Sequence, residues 1–85
     1  MSRTTLDLKG LICPLPVLRA NKALRALEFG DEIEVLATDQ AAPSDFVAFC
    51  AAAGHELVSS VEDDGVYVFV VRKVGGAASP GAPGR

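Results

Sequence analysis

Eighty-five residues suffice for one small domain and leave no room for a second core. The apolar share, 49%, is too high for a disordered chain, and no apolar run approaches the ~20 residues that cross a bilayer. The net charge of -3 conceals an asymmetry: residues 1–27 hold five basic side chains and one acid, and residues 28–64 hold ten acids and no Lys or Arg.

The first stretch, "MSRTTLDLKG", lacks the apolar core of a signal peptide, so a cytoplasmic location is expected. "TTLDL" alternates apolar and polar residues and predicts a first strand with Leu6 and Leu8 on one face. Gly10 breaks it. From Pro16 to Leu27, Val17, Ala20, Leu24 and Leu27 recur at helical spacing. Proline is tolerated in a first helical turn, where its missing N–H would have no partner. The first helix is therefore expected to begin at Pro14 and Pro16 and to end before Gly30.

"EIEVLAT" predicts a second strand, with Ile33, Val35 and Ala37 on one face. "APSDFVAFCAAAGH" predicts a second helix, with Pro43 in its first turn, Asp45 near its positive end and Gly54 as its C-terminal cap. Phe46, Phe49, Cys50 and Ala53 share its core face. "ELVSSVE" and "VYVFVVRK" are two further strands, and the Asp64-Gly65 pair between them signals a hairpin. "GGAASPGAPGR" has no periodicity. It is expected to form a disordered Gly/Ala/Pro tail over 75–85, which leaves a single domain over 1–74.

The order is thus β-α-β-α-β-β. Strands linked through helices favour parallel pairing by right-handed crossover. Two helices pack most economically on one face of a four-stranded mixed sheet, giving an α/β (α+β) two-layer sandwich with its other face open.

Cys13 falls in the loop before the first helix. Unpaired N–H groups and the helix dipole favour negative charge there, and nearby cations would add to that. The expectation is an outward-facing thiol with a lowered pKa, hence a reactive thiolate. Arg19, Lys22 and Arg25 step by three along the same helix and share one broad side of it. They form either a solvated face or a docking stripe beside the thiol. Three charges without interleaved aromatics argue against direct nucleic-acid binding.

Cys50 sits on an apolar helical face and is expected in the core. His55, the one histidine, is expected to be a polar residue at a strand start. Asp39 and Asp45 bracket the second helix, where loop and capping roles account for them. Two cysteines and one histidine without ligand spacing predict no metal site, and no phosphate loop or other cofactor motif is present. Position 16 is proline, so there is no Cys-x-x-Cys and no internal dithiol cycle. A lone thiolate can still take up a sulfane sulfur as a persulfide and pass it on.

"LDLKGLICPLPVLRANKAL" resembles the TusA/SirA-like family of small sulfur carriers. The resemblance rests on Cys13-Pro14-Leu15-Pro16 and on Leu6, Asp7, Gly10 and Leu11 ahead of it, and extends through approximately residues 5–73. It implies a two-layer sandwich with the motif cysteine at the start of the first helix. It also implies that Cys13 carries sulfur as a persulfide. A sulfur-donor protein, a cysteine desulfurase or rhodanese, would supply it, and a sulfur-acceptor protein would receive it. Gly10, Pro14 and Pro16 would support the loop, and Arg19, Lys22 and Arg25 would dock partners. The family member that serves tRNA thiolation has Arg and Glu where this chain has Ile12 and Leu15. That leaves open whether sulfur goes to oxidation, to tRNA or to cofactor thiolation.

Two rival expectations come from other classes. One is a regulatory module that binds protein or RNA through the open sheet face. The other is a one-cysteine redox sensor working through sulfenic acid.

Overall fold

A computed structural model describes residues 3–74. The expected tail over 75–85 lies outside the described residues. The elements are β1 (Arg3–Asp7), α1 (Leu15–Arg25), β2 (Glu32–Ala37), α2 (Ala42–Ala53), β3 (Glu56–Asp63) and β4 (Val66–Arg72). They follow the β-α-β-α-β-β order expected, with boundaries shifted by one or two residues.

The strands form one mixed sheet in the order β1-β2-β4-β3. β1 pairs with β2 in parallel, and β4 pairs antiparallel with both β2 and β3. β2 and β3 are consequently parallel, so each helix links a parallel pair. The Asp64-Gly65 turn, with φ of 54° and 86°, folds β4 back into the gap between β2 and β3. Positive φ at both central positions is what a tight hairpin with right-handed twist requires.

Both helices cover one face. Ile33, Val35 and Ala37 point into that layer and are fully buried, with Phe69 and Val71 from β4. Ala20 and Leu24 of α1 and Phe46 and Cys50 of α2 close it from above. The Phe46 ring stacks on Phe69, with centroids 4.5 Å apart. Offset aromatic pairs of this kind add about 0.5–1.5 kcal/mol beyond the area they bury.

The opposite face carries the other half of each strand. At one end, Arg3, Glu32, Arg72 and Glu56 stand side by side on the four strands in register. Glu32 accepts from Arg3 and Arg72, at 2.8 Å each, and Arg72 also donates to Glu56 at 2.9 Å. The two guanidinium groups hold the Glu32 carboxyl below its ordinary pKa. The row ties four strands across a solvent-facing surface. At the other end this face is apolar, with Leu36, Val68 and Val61 in cross-strand register.

Candidate functional site

The site is built where β1 and β2 end. Because these neighbours are parallel, the loops that leave them emerge at the same edge of the sheet, the usual place for a ligand or reaction site in such sheets. The β1–α1 loop carries Cys13, and the β2–α2 loop carries Thr38 and Asp39.

Side chains of the second loop pin the first. Leu8 donates its backbone N–H to Leu36, which extends the parallel pairing by one step. Gly10 then donates to the Thr38 hydroxyl at 2.9 Å, and Cys13 donates its backbone N–H to the Asp39 carboxylate at 2.6 Å. Gly10 has a φ of +86°, a left-handed conformation that turns the chain away from the sheet without steric cost. The other Asp39 oxygen accepts from Ala41 at 3.3 Å. One carboxylate therefore joins the thiol loop to the start of α2.

Cys13 lies two residues ahead of α1, and its peptide bond to Pro14 is cis. Pro16 is buried in the first turn, while Cys13 itself is exposed. The outward thiol matches the expectation from sequence. Its chemistry does not. The Asp45 carboxylate, in the first turn of α2, favours the protonated form of the thiol. Some loss of solvent around the sulfur and the negative charges of Asp45 and Asp39 act in the same direction. The Cys13 pKa is raised, not lowered.

The expectation of a lowered pKa is overturned for a plain reason. The helix dipole was weighed, but the carboxylates that α2 brings to the sulfur were not. No cation among the described residues offsets them. Lys9, the basic residue nearest in the loop, is paired with Asp7 at 2.9 Å. Asp39 and Asp45 are thus more than loop and capping residues, and α2 has no side-chain cap at all. They are site residues that a reading of the sequence alone passed over.

On the α1 side of the thiol, apolar side chains are exposed: Ile12, Leu15 and Leu18 are 68%, 39% and 54% exposed. Leu15 and Leu18 lie on the face of α1 opposite its buried residues. Arg19, Lys22 and Arg25 continue that exposed face toward the C-terminal end of the helix. None of the three takes part in an ion pair among the described residues. The structure therefore sets an apolar collar at the thiol and a cationic stripe running away from it.

Cys50 is buried in the core, and burial pushes its thiol up to about 11. His55 follows the far end of α2, with its ring against Phe49 at 5.9 Å. Asp45 is in the first turn of that helix, about 15 Å of helical rise away, so His55 is not assembled with Cys13. No helix among the described residues is long and apolar enough to cross a membrane.

A protein family described as "Sulfurtransferase TusA" matches residues 4–73. The chain belongs to the TusA family. A Neisseria meningitidis protein named as a candidate sulfur carrier is 54% identical over 72 residues, covering 85% of this chain and 97% of that one. The sulfur carrier protein TusA of Allochromatium vinosum is 46% identical over 68 residues, covering 80% and 90%. Among solved structures, a SirA-like protein from Desulfitobacterium hafniense superposes with a TM-score of 0.74 at 29% identity, covering 87% of this chain and 99% of that one. The TusA-type two-layer fold expected from the Cys-Pro-x-Pro loop is thereby shown.

Proposed function

We propose that this chain is a sulfur carrier whose transfer atom is the sulfur of Cys13. The observation that carries the reading is the placement of that sulfur. It is exposed, at the start of α1, in a TusA-family chain whose other cysteine is buried. Membership of the family makes sulfur transfer the chemistry to be explained.

The step is an exchange without net oxidation. The Cys13 thiolate attacks the terminal sulfur of a donor persulfide. A new S–S bond forms on Cys13, the donor's S–S bond breaks, and the donor leaves as a thiolate that takes up the proton Cys13 has lost. Delivery repeats the exchange in the other direction, with an acceptor thiolate attacking the outer sulfur. Such an exchange needs a nucleophile of suitable pKa and open access to it. It needs no bound metal or organic cofactor.

Donor and acceptor are proteins, the donor of cysteine desulfurase or rhodanese type, working in the cytoplasm. Ile12, Leu15 and Leu18 form the dry centre of the docking surface, and Arg19, Lys22 and Arg25 its charged margin. Apolar centres with polar rims are the common anatomy of such interfaces. Gly10, Pro14 and Pro16 hold the loop in place, and the protein counts as a sulfurtransferase whose own thiol is the transfer site. The test is sulfur loading of two variants. Cys13→Ser is expected to abolish loading and Cys50→Ser to retain it. Loading that persists in Cys13→Ser would overturn the assignment.

A further inference from the structure

The helix-free face of the sheet is laid out in rows of different kinds. At one end Arg3, Glu32, Arg72 and Glu56 alternate in sign across β1, β2, β4 and β3. The middle row is Thr5, Glu34, Val70 and Ser59, and the row at the other end is Asp7, Leu36, Val68 and Val61. Leu36 and Val68 are half-buried and Val61 is exposed, although neither helix lies on their side of the sheet. Arg3 and Glu56, the outer members of the charged row, have side chains 51% and 50% exposed.

The charged row reads plus, minus, plus, minus, so its reversal is its complement. A second copy turned by 180° about an axis parallel to the strands presents that reversed row. Arg3 of each copy then meets Glu56 of the other, and Glu32 of each meets Arg72 of the other. The same rotation sets each end of the sheet against itself, so Leu36 of each copy meets Val68 of the other. Val61 meets Asp7 at the margin, where Asp7 already has Lys9 as its charge partner at 2.9 Å. Rotation about the other in-plane axis, across the strands, would put the charged row on the apolar one. One axis satisfies both rows, as a two-fold contact between identical surfaces requires.

We infer that this face pairs with the same face of a second copy, in a dimer whose two-fold axis runs along the strands. Sheets packed in this aligned way lie ~10 Å apart. Glu34 is the residue the pairing must accommodate. Its carboxylate accepts from the Thr5 hydroxyl at 3.2 Å, which draws it toward the β1 edge and away from the centre. Four strands at ~4.8 Å and five residues at ~3.3 Å give a face of roughly 300 Å² in plan, small beside the ~800 Å² per partner of a standard interface. The dimer is therefore reversible and concentration-dependent. Its axis places both Cys13 loops at the same end, and both α1 helices stay on the outside with Arg19, Lys22 and Arg25 free. Nothing in this pairing depends on the sulfur-carrier reading.

The test is sedimentation equilibrium of the full chain under reductant, so that crosslinks through Cys13 do not contribute. From ~1 µM to ~1 mM, the mass should rise from 8.8 kDa toward twice that value. Arg3→Glu and Glu56→Arg each set like charges against one another in their own dimers, and each should weaken association about tenfold. An equimolar mixture of the two should recover it, because each then meets the opposite sign on the other chain. Val68→Lys, which puts a charge in the apolar contact at a position facing solvent in the single chain, should also weaken it. Arg19→Glu makes the same change of charge on the outer layer and should leave association as in the parent. Circular dichroism checks that every variant is folded.

A parent that stays at 8.8 kDa throughout would overturn the proposal without recourse to any variant, and would leave the face to solvent or to another partner. Dimers unaffected by both Arg3→Glu and Val68→Lys would place the contact elsewhere and would also overturn it. So would a mixture that fails to recover association, or an equal loss in Arg19→Glu.

Discussion

Cys13 is exposed and Cys50 is buried, and the contrast decides which sulfur is available for chemistry. The exposed thiol is also the less anionic of the two expectations for it, because Asp45 and Asp39 oppose its ionisation. At the far end of α2, burial of His55 lowers its pKa, and the nearby Lys73 charge adds to this. Its Nδ1 is buried without a hydrogen-bond partner among the described residues. The sign follows from proton counting. Below the ordinary histidine pKa of ~6.5 the unfolded chain binds a proton that the folded one resists, so stability falls as pH drops through that window. The loss measured as a urea midpoint between about pH 7.5 and 5.5 should be smaller in His55→Phe than in the parent. Equal losses in both would show that His55 is not the group responsible.

At the scale of elements, the site depends on two loops joined by hydrogen bonds from Gly10 to Thr38 and from Cys13 to Asp39. Gly10 has open space where a Cβ would stand, so only its φ of +86° demands glycine. Gly10→Ala should therefore cost on the order of 1 kcal/mol, the usual penalty for left-handed backbone in a residue with a Cβ. It should also alter Cys13 alkylation by displacing the loop. A thermal midpoint and an alkylation rate both equal to the parent's would contradict this.

Much of this element-level structure was legible in the sequence. Helical spacing in Val17, Ala20, Leu24 and Leu27, alternation in Ile33, Val35 and Ala37, and Asp64-Gly65 fixed the kinds of element and the layer they face. The sheet order was harder, because periodicity says nothing about which strand is central. The clue lies in β4, where Val66 through Val71 is an unbroken apolar run, as a strand flanked on both sides tends to be. Asp39 and Asp45 were missed for a different reason. Their role appears only once β1 and β2 are known to be parallel neighbours, so that the loops after them meet.

Over the whole molecule, charge is divided by position. The exposed face of α1 is basic along Arg19, Lys22 and Arg25, while the thiol's neighbours on the α2 side are acidic. The total charge of -3 hides both. Reversing Arg19, Lys22 and Arg25 to Glu should slow sulfur transfer from a protein donor, and the defect should shrink at high salt, because screening weakens steering between exposed charges. Loading from a small inorganic sulfane donor should be nearly unaffected. If the triple variant lost both activities alike, the stripe would not be a docking surface.

The central claim is that Cys13 carries sulfur, and intact mass tests it most directly. Reduced protein is incubated with thiosulfate, polysulfide or a loaded desulfurase, weighed, and weighed again after reductant. The account predicts a gain of one sulfur atom, located at Cys13 and removed by the reductant. A folded protein with a free Cys13 that gains no sulfur from any of these donors would contradict it.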